Sequence, residues 1–182
     1  MGKAIVGILL GAVFAFAWSF VSWSILPYHD ATLKQFSNEA AVTEAIKSGA
    51  DEQGIYLIPG DTTMAPDERM ELSKKGPAVF VSVRPGPNED RSMNSLILRG
   101  FLSTLVCSLL MGIMLSAAAP RLNYIGRVFF VTLGGLFAGL AAAYPNNIWW
   151  EFSTGFTGLA ILDLIVGWFF AGLVMAGIIN GK

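Results

Sequence analysis

The sequence predicts a membrane all-α fold: a four-transmembrane-helix bundle with a small α+β extramembrane domain between helices 1 and 2. Three observations carry that expectation. Of the 182 residues, 54% are hydrophobic and only 14% are charged, whereas about a quarter of the residues of a soluble domain carry charge. Four stretches are long, apolar and nearly free of charge. Eleven of the thirteen acidic residues fall between Asp30 and Asp90, so one segment of the chain is composed for water.

The first span is read from Ala4 to Leu26, a stretch without a charged residue. At about 1.5 Å rise per residue it covers a hydrocarbon layer roughly 30 Å thick. Lys3, the apolar run and Ala15-Phe16-Ala17 also imitate a cleavable signal peptide. The run continues through Trp18, Phe20, Val21, Trp23, Ile25 and Leu26, which is too long for a signal core and favours a retained anchor. The second span is read from Phe101 to Ala119, stopped by Pro120, with helical pattern starting as early as Asn88 or Glu89. The third runs from Val128 to about Tyr144 and is expected to close at Pro145. The fourth runs from about Phe156 to Ile179, before Asn180-Gly181-Lys182. The organisation is therefore residues 1–27 as transmembrane helix 1, 28–98 as the extramembrane domain and 99–182 as transmembrane helices 2 to 4.

Basic residues near span ends stay on the cytoplasmic side. Lys3, Arg121, Arg127 and Lys182 all fall on one face, while the opposite loop from Asn146 to Glu151 holds no basic residue and carries Trp149 and Trp150. Both termini are accordingly expected in the cytoplasm and residues 28–98 outside.

Within that domain, Asn38 to Ser48 reads as a helix, with Ser37 or Asn38 as its cap and Gly49 as its stop. Gly54 to Ile58 and Ala78 to Val83 read as strands able to pair antiparallel. Between them Pro66, Asp67, Glu68 and Arg69 fit either one helical turn or an irregular loop. Such a set makes too small a core to fold alone, so packing on the helix ends or on a partner is expected.

Asp163 is the sharpest single feature, because a carboxylate within a membrane helix normally faces protein or water rather than lipid. Trp18, Ser19, Ser22 and Thr104 lie at similar depth as polar neighbours, and Arg99 is the expected counter-ion. The two readings of this intramembrane set are a proton or cation site and a buried polar interaction that fixes helix order. His29, Asp30 and Glu151 share one interface and form a second candidate set for acid–base chemistry or a metal. They lack the spacing of a ligand motif, and a hydrogen-bonding role for His29 is the simpler reading. No metal or cofactor is therefore assigned.

Cys107 is the only cysteine, and basic and acidic residues number twelve and thirteen. Intrachain disulfides and multi-thiolate zinc sites are thereby excluded, and the near-neutral balance gives no basic field that would favour a nucleic-acid partner. Small residues recur at helical spacing in Gly7, Gly11 and Ala15, in Gly135 and Gly139, and in Gly167 and Ala171, the pattern of close helix contact. No Walker loop, GxSxG, HExxH or dinucleotide fingerprint is present. Trp23, Tyr28, Trp149 and Trp150 read as interfacial anchors.

Trp23-Ser24-Ile25-Leu26-Pro27-Tyr28-His29, Gly54-Ile55-Tyr56-Leu57-Ile58-Pro59-Gly60 and the final helix bearing Asp163 together resemble a group of uncharacterised bacterial inner-membrane proteins. That resemblance covers most of the chain and implies no activity, ligand or catalytic residue. Three functions follow as expectations. The first is a non-enzymatic accessory, scaffold or assembly protein acting through its outer domain, with membrane lipids and a protein partner or second copy around it. The second is a small oligomeric transporter or proton-coupled channel using Asp163. The third is an interfacial membrane enzyme built on His29, Asp30 and Glu151.

Overall fold

The computed structural model describes residues 2–87, 89 and 91–180. Asn88, the earliest start expected for the second span, and the Gly181-Lys182 tail lie outside the described residues. In chain order the elements are α1 (Gly2–Ser24), a 3-10 turn (Asp30–Thr32), α2 (Glu39–Gly49), β1 (Gly54–Ile58), α3 (Pro66–Lys75), β2 (Val79–Val83), α4 (Met93–Ala118), a second 3-10 turn (Ala119–Arg121), α5 (Tyr124–Trp150) and α6 (Thr154–Ile178). They divide into two compact units, Met1–Leu33 with Arg91–Lys182, and Lys34–Asp90. The ends of the 28–98 segment read as extramembrane belong to the first unit. Tyr28 and His29 bond to the helices, and Met93 to Leu98 already belong to α4.

The first unit contains four helices long and apolar enough to cross a membrane, Gly2–Ser24, Met93–Arg121, Tyr124–Trp150 and Thr154–Ile178. Their termini follow local chemistry. The side chains of Ser92, Asn123 and Ser153 accept hydrogen bonds from Ser95, Gly126 and Phe156 amides, each satisfying a donor the first helical turn leaves open. Against expectation, α5 does not close at Pro145 but continues through it to Trp150. Proline removes one amide donor from a helix, and neighbouring asparagines supply other bonds there. Asn146 Nδ2 donates to Ala142 O at 3.1 Å and Asn147 Nδ2 to Phe152 O at 2.6 Å. The helix stops instead at Glu151, which is left-handed at φ 55° and ψ 31°.

Small residues set the packing. Helix α1 lies against both α4 and α6, and α6 against α5. Ser108 donates to the Ile8 carbonyl at 2.7 Å, and a Cβ on Gly11 would lie 2.6 Å from Met175 Sδ. Gly135 approaches the Leu164 carbonyl and the Trp168 side chain in the same way. The core so formed includes Leu115, Val131, Ala171 and Met175, each fully inaccessible. Arg127 joins the α5 start to the α6 end by donating to Ala176 O at 2.9 Å, which occupies a carbonyl that α6 leaves open at its C-terminus.

The second unit holds one two-stranded antiparallel sheet among the described residues, in a register that places Gly54 opposite Val83 and Ile58 opposite Val79. Asn38 is the cap of α2, accepting from Ala41 N at 3.1 Å. Pro66 to Lys75 forms a full ten-residue helix, longer than the single turn its Pro-Asp-Glu start suggests. Acidic Asp67 and Glu68 at its start and Lys74 and Lys75 at its end suit the helix dipole. In the turn before it, the Thr63 hydroxyl and amide beside Asp61 hold that carboxyl below the ordinary carboxylate range, so its charge-assisted bonds persist into acid.

Candidate functional site: a buried carboxylate cluster

The site begins where α1 stops. After Ser24 the chain turns through Ile25 and Leu26, whose amides both bond back to Val21 O, at 3.0 and 3.1 Å. The following 3-10 turn is tied down by Thr32, which donates from its amide and its hydroxyl to His29 O at 2.9 and 2.8 Å. Tyr28 and His29 are thereby folded back beside Ser22 on the last turns of α1, facing Asp163 on α6.

Three donors converge on that carboxylate. Ser22 Oγ donates to Asp163 Oδ1 at 2.5 Å, Tyr28 Oη reaches the same oxygen at 3.3 Å, and His29 Nε2 lies 2.9 Å from Oδ2. Ser22 Oγ also lies 2.7 Å from Tyr28 Oη and 2.9 Å from His29 Nε2. Trp23 covers the imidazole face, with ring centroids 3.9 Å apart and planes 13° from parallel. Ser22 is fully inaccessible, His29 is 3% exposed and the Asp163 side chain 13%.

Proton bookkeeping selects a tautomer. His29 Nδ1 is buried with no hydrogen-bond partner. A proton there would be a buried donor without an acceptor, which is costly. The ring proton therefore belongs on Nε2, where it meets Asp163.

This is not a hydrolase relay. A serine nucleophile needs its hydroxyl on one ring nitrogen and the carboxylate on the other, whereas here both sit at Nε2. Ser22 is also closed to any substrate. What the arrangement does is tie the chain leaving α1 onto α6 through side chains. Replacing Tyr28 by Phe removes one of these hydroxyls and is expected to lower unfolding stability by about 0.5–1 kcal/mol, measurable by denaturant titration in micelles.

The cluster draws on both candidate sets read from the sequence. Asp163 and Ser22 come from the intramembrane set and His29 from the interfacial one. Arg99 is not the counter-ion of Asp163. It is exposed, and the ion pair of Asp163 among the described residues is with His29. The physical reason is proximity: the turn after α1 delivers imidazole and phenol to the carboxylate. Ser19 and Thr104 line a cavity of about 320 Å³ that Asp163 also lines, but Thr104 spends its proton on Gly100 O at 3.0 Å.

Asp30 and Glu151 do not join His29. Asp30 is exposed at the start of the 3-10 turn, and Glu151 is exposed at the end of α5. Among the described residues no group of three or more His, Cys, Asp and Glu side chains is placed to hold a metal. Tyr28 and Trp23, read from the sequence as interfacial anchors, belong to the site. Their placement within seven residues of Ser22, either side of Pro27, was the available signal.

Fold and cluster together define a class, a multi-pass membrane protein with a buried carboxylate at one end of its bundle. Comparison with known protein families, curated proteins and solved structures finds no match.

Proposed function

We propose that this chain is a non-enzymatic accessory, scaffold or assembly protein of the cell (inner) membrane, working through its outer domain, with both termini cytoplasmic and residues 28–98 outside. The observation that carries this reading is the incomplete core of the unit Lys34–Asp90. Of its described hydrophobic residues only Ala50 and Val83 are buried, while Phe36, Ile55, Leu57, Ile58, Met70 and Leu72 are 39–66% exposed. A two-stranded ribbon with two short helices gains too little from its own burial to be self-sufficient. A polypeptide partner supplies the missing cover. The orientation is supported by Lys3, Arg121, Arg127 and Lys182, the basic residues that flank the spans on one face.

Transport through one protomer has less support, because Leu115, Val131, Ala171 and Met175 fill the bundle away from Asp163 without accessible surface. Interfacial catalysis has less still, given the closed Ser22 and the separation of Asp30 and Glu151 from His29.

Cross-linking in native membranes followed by gentle solubilisation tests the reading. The expected product is this chain joined through residues 34–90 to another polypeptide or to a second copy. A monodisperse protomer with nothing cross-linked contradicts it. For orientation, Ser73→Cys in a Cys107→Ser background is expected to react with an impermeant thiol reagent on intact cells, and labelling only after lysis contradicts the outside placement.

A further inference from the structure

The cavity beside Asp163 lies between α1, α4 and α6, in the gap left because α4 and α6 each pack on α1 rather than extensively on one another. Its volume is about 320 Å³, ample for a small organic cation. Neither lysine nor arginine is among its lining residues. The acidic side chain in its wall among the described residues is Asp163, whose partners are two hydroxyls and the His29 imidazole.

The remaining wall chemistry narrows the ligand. Thr104 has already given its proton to Gly100 O, so its oxygen faces other groups only as an acceptor, and Ser19 and Ser103 add two more hydroxyl oxygens. Trp18 and Trp168 supply indole surface, which attracts cations through the ring quadrupole. A quaternary cation would leave the hydroxyl acceptors unused. A primary ammonium satisfies them together with Asp163.

We propose that this cavity binds a primary ammonium, with Asp163 as counter-charge and Ser19, Ser103 and Thr104 as hydrogen-bond acceptors. The group is carried either by a free small amine, with ethanolamine as the probe, or by an ethanolamine lipid headgroup. The site stands apart from the accessory role, which its failure would leave untouched.

Cys107, the only cysteine, is exposed and lines the same cavity, so the native chain carries its own reporter. The full-length protein is placed in nanodiscs of phosphatidylglycerol and alkylated with N-ethylmaleimide at neutral pH. Ethanolamine at about five times its Kd is expected to slow alkylation of Cys107 about sixfold, the factor 1 + [L]/Kd for a competing site. Ethylene glycol and tetramethylammonium at the same concentration are expected to protect far less. Asp163→Asn abolishes the protection. Thr104→Val, which leaves the Asp163 cluster intact, weakens it about fivefold, the loss of roughly one hydrogen bond, and decides the matter if the Asn variant folds poorly. Slow alkylation in phosphatidylethanolamine nanodiscs without added amine identifies the lipid as the source, and protection by free ethanolamine alone identifies the soluble amine. Equal protection by ethylene glycol, a Thr104→Val protein protected like the wild type, or no protection from either source overturns the proposal.

Discussion

Asp163→Ala is expected to destabilise the bundle by about 2–4 kcal/mol, far more than any neighbouring polar-to-alanine change. Interhelical hydrogen bonds in membranes average only about 0.6 kcal/mol, so one lost bond would hardly register. Here, however, Ser22, Tyr28 and His29 lose a shared acceptor in one step. Two of the three are buried, at 0% and 3% exposure, and although they can still bond to one another through Ser22 Oγ, the lost acceptor and the cavity left by the carboxylate together cost about 2–4 kcal/mol. Asp163→Asn keeps one carbonyl oxygen as an acceptor and is expected to lose about half as much. The measurement is reversible unfolding in mixed micelles with increasing SDS, followed by tryptophan emission. Because Trp23 stacks on His29, the emission should also shift on release of the cluster. Wild-type unfolding of Asp163→Ala would mean that the carboxylate holds nothing together.

Gly135→Leu is expected to cost about 3 kcal/mol or to prevent folding. A Cβ at this position would stand 2.6 Å from the Leu164 carbonyl oxygen and 2.7 Å from Trp168 Cβ. The first of these atoms is backbone, so α6 itself must move. Overpacking of this kind typically costs 1–3 kcal/mol, about the upper end where no side chain can yield. Gly139 meets the Ile161 backbone at 3.1 Å one turn further along, so both residues hold α5 close to α6. Gly158 is the control within α6, where an added Cβ meets nothing within 4 Å. Gly158→Leu should therefore unfold at or above the wild-type point. Equal effects of the two substitutions would show that the close approach of α5 and α6 contributes little.

The four apolar helices were readable in the sequence because hydrocarbon imposes a simple rule of length and charge. The strand pair was readable too, from β-branched runs between proline and glycine. Other features depend on tertiary context. Pro145 reads as a helix stop from local propensity, yet Asn146 and Asn147 offer side-chain donors that the pattern of apolar residues does not weigh. The ten residues of α3 are largely polar, so no hydrophobic period marks them, and capping and dipole chemistry decide instead. Asp163 was conspicuous by its cost in lipid, but its partner was not. Counting depth along straight helices brings Arg99 within reach and leaves His29 in a separate interfacial set. Only the reversal after Pro27, built from the Val21 and His29 carbonyl bonds, brings residues 134 positions apart to 2.9 Å.

His29 is the only histidine, so selective 15N-histidine labelling yields the signals of a single ring. In the folded protein, the account requires Nε2 to carry the proton and to sense Asp163, with Nδ1 bare, and the Nε2 resonance to move on Asp163→Asn. A proton on Nδ1 instead, or an imidazole spectrum that Asp163→Asn leaves unchanged, would contradict the cluster on which the site, and the cavity beside it, are built.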